Sequence, residues 1–294
     1  MDAVDAGMGR VAFVGLGAIG WPMAARLAER MPTLVWARRP EVAERHATEH
    51  GSRAVAREEL ADVDVLVTCL PTSAEVEELL ERIGGLKAGA VLVDTTSGDP
   101  ARSREIAARL AEGGAGFIDA PISGGVSGAE EGALTAMVGG DPAVLDRMRP
   151  VLDAFCTAIV HLGEVGAGHA VKSVNNTLMA LSLWSASEGF GVLRALGVPD
   201  GPALEAINGG SGRSYSTERH LGRLIAGGGP ANFSLRLLAK DIGITASLAR
   251  ELGIEAPTLQ LTAELYAELA AAHGEEDMSL AHRVAAGSDF PPVA

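Results

Sequence analysis

Lysine is scarce in this chain, and its scarcity singles out two positions. Of 24 lysines and arginines, three are lysine: Lys87, Lys172 and Lys240. Only the ammonium readily gives up a proton near neutral pH, so a lysine within an apolar helical stretch is a candidate for proton transfer. Lys87 lies in a glycine-rich loop and needs no such explanation. Lys172 stands in Gly168-His169-Ala170-Val171-Lys172-Ser173-Val174-Asn175-Asn176, with Asn176 one helical turn later on the same face. Two adjacent asparagines in an apolar helix also need hydrogen-bond partners. A proton donor beside an amide suits hydride transfer, where charge develops on a substrate oxygen. The second lysine belongs to Phe233-Ser234-Leu235-Arg236-Leu237-Leu238-Ala239-Lys240-Asp241. Neighbours along a helix do not face each other, so Lys240 and Asp241 are expected to serve different partners, or to form a solvated charged turn.

Hydride chemistry requires a cofactor, and a second motif supplies a place for one. Gly15-Leu16-Gly17-Ala18-Ile19-Gly20 directly follows a β-branched run and opens a helical pattern. Glycines there allow a tight turn and close approach of backbone to a pyrophosphate, which the helix N-terminus then holds. Dinucleotide sites that prefer NAD carry an acidic residue about 20 positions on. Here the corresponding segment reads Val35-Trp36-Ala37-Arg38-Arg39-Pro40, without a carboxylate. Two guanidinium groups suit a 2′-phosphate, so NADP(H) is the expected cofactor, with NAD(H) as the secondary possibility. Asp119-Ala120-Pro121-Ile122-Ser123-Gly124-Gly125 ends a strand and runs into a loop, where a hydroxyl and two N–H groups can hold a carboxylate; the same residues serve equally as a turn. Arg213, in Ser211-Gly212-Arg213-Ser214, either reaches a substrate or caps a helix.

The elements that must position these groups fall into two patterns. Up to about residue 163, short apolar runs (Val11–Val14, Leu34–Trp36, Val63–Cys69, Ala90–Asp94, Gly116–Asp119, Leu134–Val138, Ala158–His161) alternate with amphipathic helical stretches. Such alternation implies βαβ units and a mainly parallel, doubly wound sheet. After Gly166-Ala167-Gly168 a long helical pattern runs to about Leu196, followed by helical segments around Pro202–Ile207, Thr217–Ile225, Leu235–Leu252 and Pro257–His273. The expected organisation is a loose tail over residues 1–10, an α/β Rossmann-type domain over 11–165 and an all-α domain over 166–294, joined by a long interdomain helix.

Whole-chain properties narrow the remaining choices. A net charge of −14 disfavours nucleic acid and anionic membranes, so an anionic ligand must find a local basic pocket. No apolar run reaches the roughly 18 residues of a membrane span, and no secretory signal pattern opens the sequence. Cytoplasmic location follows as an expectation, with Cys69 and Cys156 as two buried thiols. Seven histidines lack metal-ligand spacing, and no metal is expected.

Taken in order, these motifs resemble the β-hydroxyacid dehydrogenase family, which includes 3-hydroxyisobutyrate dehydrogenase and tartronate semialdehyde reductase. The resemblance runs from about Val11 to His282. It implies that Lys172 is the catalytic acid/base with Asn176 as its neighbour, and that Ser123, Gly124 and Gly125 bind a substrate carboxylate. Asn175, Phe233 and Asp241 would border the substrate, and Lys240 would reach the cofactor. Leu70-Pro71 resembles the family's Leu-Pro contact with the cofactor, and Thr96-Ser97 its pair near the nicotinamide. Members with arginine after the second strand are NADP users, although Ala37 stands where they often carry asparagine. The implied activity interconverts a small β-hydroxy acid and its semialdehyde, in a homodimer or homotetramer. Imine reductases share the fold and the first motif but lack the lysine; a catalytically silent cofactor-binding scaffold would need neither Lys172 nor Asn176.

Overall fold

Strands buried on both faces read as continuous apolar runs, and this is how the first half of the chain folds. The structure is a computed structural model and describes residues 8–228 and 230–287. Its elements run β1 (Val11–Val14), α1 (Gly20–Arg30), β2 (Thr33–Trp36), α2 (Pro40–His50), β3 (Arg53–Ala54), a 3₁₀ turn, β4 (Val65–Thr68), α3 (Ser73–Ile83), β5 (Val91–Asp94), α4 (Pro100–Glu112), β6 (Gly116–Asp119), β7 (Ile122–Ser123), α5 (Gly125–Glu131), β8 (Leu134–Val138), α6 (Pro142–Leu152) and β9 (Cys156–His161). Six strands form one parallel sheet in the order β3-β2-β1-β4-β5-β6. Side chains alternate across it. Val11, Phe13, Val65, Val67, Val91 and Val93 pack on one face with Met23 and Leu27 of α1 and Met148 of α6. Ala12, Val14, Leu66 and Leu92 pack on the other with Val76 and Leu79 of α3 and Ile106 and Leu110 of α4.

Two features depart from the expected single sheet. β8 and β9 do not join it: they pair in parallel with each other, and β7 adds antiparallel to β8, making a separate three-stranded sheet. Ser123 therefore ends a short strand, paired with Thr135, rather than lying in a loop. Of the expected loose tail, residues 1–7 lie outside the described residues. Arg10 is tied in, its N–H donating to Asp64 Oδ2 at 2.7 Å.

The chain divides into two compact units between Lys172 and Ser173. The division falls inside α7 (Ala167–Ala195), which is followed by α8 (Asp200–Gly209), a π-helical turn over Ser216–Leu221, α9 (Gly222–Ile225), α10 (Leu235–Glu251), α11 (Pro257–His273) and α12 (Ser279–Ala285). Among the described residues the second unit contains no strand, apart from an isolated bridge between Ser234 and Asp277. Its core joins Ala180 and Leu183 of α7 to Leu235, Leu238 and Ile242 of α10 and Tyr266 and Leu269 of α11. The 3–4 spacing on α10 is the helical stripe the sequence displays. No helix of the described residues is long and apolar enough to cross a membrane.

Candidate active site

All strands of the large sheet run the same way, so the loops leaving β1, β2, β4, β5 and β6 emerge on one edge. That edge is where α/β sheets bind ligands. Gly15 takes φ +107°, and a Cβ there would collide with the Cys69 carbonyl; a Cβ on Gly20 would collide with Gly15 O. These two glycines are demanded by the protein's own packing. Gly17 is different: a Cβ there would meet nothing within 4 Å. It faces open space at the start of α1, whose first turn carries no acidic residue and whose N-cap, Ile19, offers no side-chain acceptor. Gly17 and Ala18 also line one side of a groove of about 810 Å³ that takes in Trp21, Arg26, Arg45 and Glu49. Uncapped N–H groups beside an open glycine fit a pyrophosphate, and a nicotinamide dinucleotide bound there would supply or accept hydride.

The neighbouring loops meet this turn. Cys69 N–H donates to Val14 O at 2.9 Å, and Leu70 N–H to Thr96 Oγ1 at 3.1 Å, bringing the Leu70-Pro71 and Thr96-Ser97 segments together. Arg38 and Arg39 follow β2, both exposed, and neither forms an ion pair among the described residues. Gly124 and Gly125 have φ +137° and +67° at the start of α5 and are exposed, while Ser123 is half-buried.

Lys172 closes the first unit on α7. The start of that helix has no Ser, Thr, Asp or Asn in its own sequence to cap it. Asp119, fully buried at the end of β6, does so from a distance: Oδ1 accepts from Gly166 N–H at 2.7 Å and Oδ2 from His169 N–H at 2.9 Å. Gly168 is required for this seating, since a Cβ there would collide with Met137 O and lie 2.9 Å from Asp119 Oδ2.

In the second unit the asparagine pair gains the partners that buried amides need. Asn175 Nδ2 donates to Asn176 Oδ1 at 3.1 Å, and Asn176 Nδ2 to Asp241 Oδ2 at 2.6 Å. Lys240 corrects the expectation drawn from helical spacing. Its long stem lets Nζ reach 3.1 Å from Asp241 Oδ1, so the adjacent residues do meet. Thr177 and Thr245, one residue beyond Asn176 and one turn beyond Asp241, join by a 3.0 Å bond. Phe233 precedes α10, and its N–H donates to Asp277 Oδ2 at 3.1 Å. Arg213 approaches Glu218 at 3.8 Å.

Residues 10–163 match the family model of the NAD-binding domain of 6-phosphogluconate dehydrogenase. Residues 166–285 match the family model described as NAD-binding of NADP-dependent 3-hydroxyisobutyrate dehydrogenase. The 2-(hydroxymethyl)glutarate dehydrogenase of Eubacterium barkeri is 34% identical over 283 residues, 94% of each chain. The chain belongs to the β-hydroxyacid dehydrogenase family. Among solved structures, the Mycobacterium tuberculosis 3-hydroxyisobutyrate dehydrogenase with L-serine superposes with a TM-score of 0.82 at 30% identity, covering 94% of this chain and 99% of that one. Psf3 in complex with NADP+ and 2-OPP gives 0.80 at 28% identity, covering 93% and 99%. As a β-hydroxyacid dehydrogenase the protein is an NAD(P)-dependent oxidoreductase acting on a hydroxyl group.

Two features of this dehydrogenase escaped the sequence reading. Asp119 appeared there only as the first letter of a motif; a helix start with no capping residue of its own was the signal that a distant acceptor must exist. The other is an aromatic cluster beside the glycine loop, in which Trp21 Nε1–H donates to His50 Nε2 at 3.0 Å and the Arg45 guanidinium lies 4.6 Å from the Trp21 ring centre. Histidines scattered in sequence gave no sign of it.

Proposed function

We propose that this enzyme uses NADP(H) to interconvert a small β-hydroxy acid and its semialdehyde, with Lys172 as acid/base. The observation that carries the reading is the start of α7. There Lys172 stands one turn before an asparagine whose amide is fixed by the buried Asp241 carboxylate at 2.6 Å. In the reducing direction a nicotinamide held at the glycine turn would be the hydride source for the aldehyde carbon. The ammonium of Lys172 gives its proton to the oxygen as alkoxide charge develops, leaving a neutral amine that solvent reprotonates. Asn176 orients the substrate oxygen, and Asn175, Phe233 and Asp241 border the substrate. The Ser123 hydroxyl and the Gly124 and Gly125 amides hold its carboxylate. Oxidation runs the same proton path in reverse, with the amine as base. General acid assistance of this kind contributes on the order of 10²–10⁴-fold.

The preference for NADP(H) is supported by two exposed guanidinium groups after β2 and the missing carboxylate there. Leu70, Pro71, Thr96, Ser97 and Lys240 complete the proposed cofactor contacts, and the active form is a homodimer or homotetramer in the cytoplasm. The test follows NADPH absorbance with tartronate, methylmalonate and succinate semialdehydes and one cyclic imine. Lys172→Ala should abolish semialdehyde reduction while NADPH still binds. Near wild-type turnover in that variant removes the mechanism, and turnover of the imine alone removes the substrate class.

A further inference from the structure

The lysine proposed as acid/base must keep a fixed distance from the cofactor, and one buried side chain in the first unit ties its turn of α7 to a loop proposed to hold that cofactor. His169, three residues before Lys172 on α7, has no exposed surface. Its Nε2 lies 2.8 Å from Thr96 O. A carbonyl only accepts, so the ring donates in that bond. Its Nδ1 lies 2.6 Å from Ser103 Oγ on α4. The Asp94 Oδ2 atom, buried without a hydrogen-bond donor, is 3.9 Å from Nε2. The other Asp94 oxygen accepts from the Thr68 hydroxyl at 2.8 Å and Thr96 N–H at 3.1 Å. Thr96 Oγ1 in turn accepts from Leu70 N–H. Gly98 makes room for the ring: a Cβ there would lie 2.7 Å from its Cε1 and 2.6 Å from Ser73 Oγ.

We propose that His169 is a positioning residue that locks the turn bearing Lys172 to the Leu70 and Thr96 loops. Its two ring nitrogens join two separate elements, the loop after β5 and the helix α4, and the ring lies on the same face of α7 as Lys172. A buried ring hydrogen-bonded at both nitrogens fixes a single geometry more firmly than apolar packing does. The reference distance from amine to cofactor is thereby set through an imidazole ring rather than through helix stiffness alone. The inference rests on the reading of Lys172 as acid/base.

The test compares wild type, His169→Ala, His169→Asn, His169→Gln and Lys172→Ala in the intact enzyme, using whichever of the three semialdehydes above is reduced fastest. Five quantities are measured: the NADPH dissociation constant by fluorescence, kcat, KM, the deuterium isotope effect on kcat with C4-deuterated NADPH, and Tm. His169→Ala and the too-short His169→Asn should lower kcat about tenfold or more and raise the isotope effect, with NADPH affinity changed less than about threefold. His169→Gln, whose amide can still donate to Thr96 O, should recover kcat to within about threefold of wild type. A lower Tm with unchanged kcat and isotope effect in either short variant assigns the ring a purely structural role and overturns the proposal. If Lys172→Ala is itself fully active, the acid/base reading fails first. If Lys172→Ala is dead while folded His169→Asn works normally, only this inference fails.

Discussion

Removal of the Asp119 carboxylate is the sharpest test of how the active helix is held. Two N–H groups at the helix start, of Gly166 just before it and His169 in its first turn, point at its two oxygens at 2.7 and 2.9 Å, and the side chain is wholly buried. An ordinary exposed cap contributes about 1 kcal/mol. Here burial decides the magnitude, because each N–H left without an acceptor and out of reach of water costs about 1–3 kcal/mol. Asp119→Ala should therefore destabilise the protein by roughly 2–6 kcal/mol. Asp119→Asn keeps the shape and one acceptor, but turns an NH₂ group toward the other N–H, so about half that loss is expected. For a unit of this size, 3 kcal/mol corresponds to a Tm lower by roughly 6–12 °C. Scanning calorimetry, with far-UV circular dichroism to follow helix content, reads the effect. A Tm within about 2 °C of wild type for Asp119→Ala would show that the helix start is held by something else.

Three further outcomes follow from other parts of the molecule. Arg38→Ala should raise KM for NADP by about tenfold or more while leaving that for NAD nearly unchanged, as loss of a charge-assisted bond worth about 1.5–3 kcal/mol requires; equal changes for both cofactors would exclude a 2′-phosphate contact. Asp241→Ala leaves the Asn176 amide and the Lys240 ammonium without their shared acceptor, and should cost about 2–4 kcal/mol in urea unfolding, against little for a surface aspartate such as Asp146. His282 is buried against Ser187, and desolvation, with the Arg194 charge adding to it, pushes its pKa down to about 4. Its folded form stays neutral while the unfolded chain takes up a proton below pH ~6.5, so stability is full above that pH and declines as pH falls toward 4, by about 3 kcal/mol in total. Urea titrations at pH 7 and 5 should differ by about 2 kcal/mol from this residue, and the difference should shrink by about that amount in His282→Phe, leaving the share of His46 and His220, whose pKa values desolvation also lowers.

Sequence periodicity revealed the parts of the fold that depend on nearby residues. The central parallel strands are apolar at most positions because both faces are covered, and α10 and α11 lie between clear Gly and Pro punctuation. Two-residue strands such as β3 and β7 are too short to leave a pattern, and nothing local distinguishes β8 and β9 as a separate sheet; that depends on pairing with distant chain. The glycine loop could be read because its spacing is forced by contacts within one turn. The side-chain networks could not. Whether Lys240 reaches Asp241, or where Asp119 finds its donors, is settled by packing between segments 47 to 50 residues apart in one case and by the flexibility of a lysine stem in the other.

The break between the two compact units has a consequence for anyone recombining members of this family. It falls between Lys172 and Ser173, in the second turn of a continuous helix, so the proposed acid and the amide one turn later belong to different halves. A chimaera spliced at that seam would draw the two from different parents and inherit a helix whose register neither parent had selected. Crossovers placed earlier, between Leu162 and Val165, would instead carry the helix across as an undivided piece. The lysine and its asparagine would then travel together, and the imported Gly-x-Gly start would have to dock on a resident Asp119.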